Sequence, residues 1–89
     1  MPAHRHLPAE HQQTLELIFG HHATDHLGWP DLLHLIESVG SVVEESDGDY
    51  KFIVNGEHHV FARPRHDRIT DAEEITTLRA FLKRARMTP

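Results

Sequence analysis

The chain has 89 residues, which suits one small domain. Hydrophobic residues make up 38% of it and charged residues 26%, a balance that fits a globular domain and argues against global disorder. It has no cysteine, so disulfides and cysteine-ligated zinc are excluded, and a reducing cytoplasm is the expected setting.

The net charge of -5 hides an asymmetry. Residues 1–50 hold nine acids against one base, Arg5, a net of -8. Residues 51–89 hold eight bases against five acids, a net of +3. A dedicated nucleic-acid binder is usually basic overall, so RNA binding would depend on a local patch in the second half. Ten histidines add a pH-dependent charge, since an unperturbed imidazole titrates near about 6.5.

Residues 1–7 read as a flexible tail without the apolar run of a signal peptide. No stretch approaches the roughly 18 apolar residues of a membrane span. A first helix is expected from Pro8, with Leu15, Ile18 and Phe19 on one face and Gly20 as its stop. His21 to Gly28 reads as a polar connector. Trp29-Pro30-Asp31 opens a second helix with Pro30 in its first turn. Leu32, Ile36 and Val39, flanked by Leu33 and Leu35, form its buried stripe, and Gly40 ends it.

Three strands are expected next. Ser41–Ser46 is short, and Asp47-Gly48-Asp49 is a turn. Residues 50–54 make the second strand and His58–Arg63 the third. Asn55-Gly56 between them is the preferred dipeptide for a two-residue hairpin, because both positions need positive φ. That turn opposes Phe52 with His59 and Tyr50 with Phe61 on one face. On the other face it opposes Ile53 with His58 and Lys51 with Val60. The first face carries more aromatic area and is the expected core side. Pro64 ends the third strand.

Thr70-Asp71-Ala72-Glu73-Glu74 holds two overlapping capping boxes. Ile75, Leu78, Leu82 and Ala85, with Phe81 beside them, follow at helical spacing. The result is one α+β domain over residues 1–89. It is a two-layer sandwich with order helix, helix, three antiparallel strands, helix.

The run from Trp29 to Arg86 resembles the HicA family of bacterial toxins. The residues carrying the likeness are Leu32-Leu33-His34-Leu35-Ile36-Glu37-Ser38-Val39-Gly40, then Pro64-Arg65-His66, then Ile75-Thr76-Thr77-Leu78-Arg79. It spans residues 29–86 and leaves 8–28 as an added N-terminal helix and connector. The resemblance implies a fold like a double-stranded-RNA-binding domain, an mRNA endoribonuclease activity without cofactor, and a HicB-type antitoxin partner. One departure stands out. The family usually places Gly-Ser-His at the start of the second strand, and that histidine is catalytic; here the sequence reads Gly48-Asp49-Tyr50. The resemblance therefore admits a non-catalytic relative, or one that uses a different histidine.

Four groups could carry chemistry. Arg63, Arg65, His66 and Arg68 could contact phosphates, because a guanidinium pairs bidentately with phosphate oxygens. His66 could then act as general acid or base. The plainer reading is a solvated loop. His58 and His59 point to opposite faces of a strand; His58 faces outward, where it could meet His66, while His59 packs near Phe52. His22 and His26, one helical turn apart and near Asp25, have metal-ligand spacing, but the simpler reading is a polar connector. Arg79, Lys83 and Arg86 share one face of the last helix and could form an RNA or antitoxin surface. Cations near a helix C-terminus also complement its dipole. Beside the toxin-like reading stands a non-catalytic interaction module that dimerises or binds a partner protein. The charge halves of opposite sign and a free sheet edge suit that reading.

Overall fold

The computed structural model of the chain describes residues 7–20 and 27–89. Its order is α1 (Ala9–Phe19), α2 (Trp29–Val39), β1 (Ser41–Glu44), β2 (Asp49–Val54), β3 (Glu57–Ala62) and α3 (Ala72–Arg84). The strands form one antiparallel sheet in the order β1-β2-β3. The α+β layout expected from the sequence is thus present. β1 ends two residues short of Ser46, where Asp47 turns the chain: its Oδ1 accepts from the Asp49 amide at 3.1 Å. Residues 1–6 and the connector 21–26, with His22 and His26, lie outside the described residues. Leu7, expected as part of the tail, packs against the core.

The hairpin has the register expected of a two-residue turn. Phe52 lies opposite His59, Tyr50 opposite Phe61, Ile53 opposite His58 and Lys51 opposite Val60. Asn55 (φ 50°) and Gly56 (φ 82°) supply the left-handed conformations this turn requires. Asn55 also donates from Nδ2 to the Ala85 carbonyl at 2.6 Å, tying the turn to the end of α3.

Alternation along β2 and β3 puts Tyr50, Phe52, Val54, His59 and Phe61 on the helix-covered face. Phe52 and Val54 are fully buried there. Trp29 sits at their centre, 5.1 Å edge-on to Tyr50 and 5.6 Å from Phe61. It thereby anchors the start of α2 to the sheet. α3 covers β3 through Ile75, Leu78, Phe81 and Leu82, all buried. α1 lies across α2 and α3, with Leu15 and Ile18 buried between them.

Gly40 does more than end α2. A Cβ there would fall against the Ile53 carbonyl oxygen, so the helix can turn directly into β1 only because this position lacks a side chain. Among the described residues no helix covers the opposite sheet face. Val43 and Val60, the two exposed large hydrophobics among the described residues, both lie on it beside Lys51.

Candidate nucleic-acid and partner interface

β3 empties into the basic loop after Pro64, which stops the ladder because it has no amide proton. The loop then makes a tight turn over Arg65–Asp67. His66 (φ 60°) and Asp67 (φ 56°) are successive left-handed residues. Such residues cost of order 1–3 kcal/mol each and concentrate at functional sites, although His and Asp tolerate the conformation better than most. Two features hold the turn. The Arg63 guanidinium donates to Asp67 Oδ1 from Nε and lies 3.0 Å from it through Nη2. Beyond the turn, Arg68 bridges Gly28, and the Ile69 amide donates to the Leu27 carbonyl at 3.0 Å, with Ile69 fully buried. The loop is therefore fastened at both ends, and Arg65 and His66 stand exposed between the fastenings.

Asp67 also faces Arg63 with an opposite charge. Its hydrogen bond and charge raise the Arg63 pKa further above its ordinary value. The pair is solvent-exposed, so it adds little to stability. Its role here is to orient the turn.

The fold separates groups that the sequence placed together. His58 stands beside the hairpin turn, whereas His66 follows the far end of β3. About 13 Å of strand separates position 58 from position 62, so the expected His58–His66 acid–base pair does not form. The cations of α3 divide as well. Arg79 is half-buried, and its Nε donates to the Ile18 carbonyl at 2.7 Å and its Nη2 to the Gly20 carbonyl at 3.2 Å. It caps the end of α1, because the helices cross where those last carbonyls lack intrahelical partners. Arg86 lies past the end of α3 with φ 62°, off the helical face expected for it. Lys83 is exposed, and Arg84 reaches Glu57 at 3.3 Å. The loop cations and the α3 cations, expected as two separate groups, lie at opposite ends of β3, and Arg79 has left the α3 group to cap α1.

Tyr50 stands where the sequence resemblance would call for a histidine. Its ring packs edge-on against Trp29 on the covered face. His59 is half-buried and stacks on Phe81 at 5.2 Å. Burial, and then the charge of Arg84, lower its pKa, which disfavours the charged imidazole. It serves as packing with a polar edge.

The capping pattern of α3 concealed a second feature. A groove of about 230 Å³ runs between β3 and the first turns of α3, lined by His59, Phe61, Ala62, Asp71, Glu73 and Glu74 among others. Asp71 Oδ1 accepts from the Glu73 amide at 2.9 Å as the helix cap. Burial, and then the neighbouring Asp71, raise the Glu74 pKa. Nothing in the sequence placed these acids beside β3, since that neighbourhood depends on where α3 docks. Among the described residues no group of three or more metal-ligating side chains comes together, and no helix is long and apolar enough to cross a membrane.

Comparisons with family models, with curated proteins and with solved structures return no match for this chain.

Proposed function

We propose that this chain is a HicA-like toxin–antitoxin protein, or a degenerate relative, that binds RNA through the loop Arg63–Arg68 and does not cleave through the family's usual position. The single observation that carries the reading is the strained, doubly fastened turn at His66 and Asp67, which holds Arg65 and His66 outward. A pre-ordered loop loses little entropy on meeting an anion, and exposed arginine suits phosphate oxygens. The packing of Tyr50 against Trp29 supports binding over family-style catalysis, because a phenol built into the aromatic cluster stands where that catalysis would use an imidazole. A bacterial cytoplasm and an antitoxin that covers the same loop follow from this reading.

The test is fluorescence anisotropy with a labelled short RNA across a salt series, alongside an RNase assay. Arg65→Ala should weaken binding and make the salt dependence shallower by about 0.7 in log–log slope, the share of one phosphate contact on a single strand. An unchanged slope removes Arg65 from the interface. Cleavage by wild type that is lost in His66→Ala would restore an enzymatic role and overturn the non-catalytic form.

A second reading, a protein-interaction module without RNA, draws on the uncovered sheet face with Val43 and Val60. Apolar side chains exposed on a sheet flanked by free edges suit a protein partner.

A further inference from the structure

Among the described residues neither outer strand of the sheet has a second strand partner, and the edge of β3 is the longer of the two. The order β1-β2-β3 gives β3 a neighbour on one side only. The two-residue turn makes Val54 and Glu57 a hydrogen-bonded pair. Alternation then directs the amide and carbonyl groups of His58, Val60 and Ala62 away from β2. Val60 is also the more exposed of the two surface valines, at 54%.

α3 runs antiparallel to β3 along this edge. Glu73 and Thr77 line the groove beside it, and Arg84 reaches Glu57 at its other end. Glu73, Thr77, Ala80 and Arg84 share one helical stripe, and all four are exposed. That stripe is acidic at its start, small in its middle and basic at its end.

We propose that a second copy of this chain docks on β3, antiparallel, about a two-fold axis through Val60. The two three-stranded sheets then become continuous. Val60 pairs with Val60 of the second copy, and His58 with Ala62 of the second copy, through backbone groups that now face outward. The lengths agree. At 3.3 Å per strand residue and 1.5 Å per helical residue, Glu57–Ala62 and Glu73–Arg84 both span ~17 Å. An axis at Val60 therefore crosses α3 near Thr77. Glu73 of each copy comes opposite Lys83 and Arg84 of the other, twice over by symmetry. Thr77 and Ala80 are small enough to let the helices approach between those charge pairs.

The edge of β1 suits this less. It is four residues long, and Glu44 beside Glu45 would set like charges together on self-pairing. An extended peptide from another protein could satisfy the backbone of β3, but it gives no account of the charge gradient along α3. The proposal rests on the interaction-module reading and names its partner and its seat.

The test is light scattering on the 89-residue chain from about 10 μM to about 1 mM, a range that detects even weak association. Wild type should reach twice the 10.2 kDa chain mass. Val60→Lys, a charge of the kind that natural edge strands use against pairing, should stay at one chain mass with an unchanged circular dichroism spectrum. Glu73→Lys and Arg84→Glu should each weaken the dimer at least tenfold, and mixing the two variants should restore it, because each mixed dimer keeps opposite charges at both contacts. A wild type that stays monomeric throughout overturns the proposal. A dimer that persists in Val60→Lys also overturns it, while leaving the interaction-module reading with a different seat. Failure of the mixture to recover refutes the two-fold register.

Discussion

Replacing Arg79 with alanine tests how α1 is held to the domain. The guanidinium makes two charge-assisted hydrogen bonds, to the Ile18 carbonyl at 2.7 Å and the Gly20 carbonyl at 3.2 Å. Hydrogen bonds to charged groups contribute about 1.5–3 kcal/mol each, and a cation at a helix C-terminus adds about 0.3–1 kcal/mol. The site is only part-buried, so water can reach the vacated carbonyls and recover some of this. A loss of about 2–3 kcal/mol is expected for Arg79→Ala. Total stability for a chain this size is roughly 4–13 kcal/mol, so the loss is a large fraction of it. The melting temperature should fall by about 10–20 °C. Urea denaturation of wild type, Arg79→Ala, Arg79→Met and Arg79→Lys gives the measurement. The methionine variant keeps the apolar stem and isolates the polar contribution. The lysine variant keeps the charge but loses the forked geometry, and should recover only part of the loss. RNA affinity, read where Arg79→Ala is still folded, should equal that of wild type. A loss below about 0.5 kcal/mol at unchanged denaturant slope, or a selective fall in RNA affinity, would refute the capping role.

Two further outcomes follow from the packing. Gly40→Ala should destabilise the domain by about 1–3 kcal/mol in the same urea assay, since its methyl group meets the Ile53 carbonyl oxygen and the α2–β1 junction must shift; a neutral result would show that the junction has slack. Because the folded-state pKa of His59 is lowered, first by burial and then by Arg84, its protonation favours the unfolded chain. Stability is therefore unaffected by His59 above about pH 6.5 and declines as pH falls below that, through the folded-state pKa. His59→Phe should flatten that part of the stability-versus-pH curve, and an unaltered curve would assign the acid sensitivity to other groups.

Local pattern determined most of the backbone. The hairpin register follows from Asn55-Gly56, because a two-residue turn leaves one way to align the flanking strands. The helical stripes of α2 and α3 follow from side-chain spacing, since only one face of each can be buried. The hairpin register, with the greater aromatic area of one face, assigned Tyr50, Phe52, His59 and Phe61 to the core side. Tertiary docking decided the site. Arg79 has the spacing of a surface cation, and only the crossing of α3 over the end of α1 turns it inward. His58 and His66 both lie in one basic stretch, but an extended strand holds them apart. Asp71, Glu73 and Glu74 read as helix-capping acids until α3 lies beside β3 and makes them one wall of a groove. Periodicity reports which face of an element is buried, and it carries no information about which neighbour lies against that face. The sequence by itself thus determined the elements, the turn and the core face, while the neighbours of each charged side chain were decided by how the elements pack.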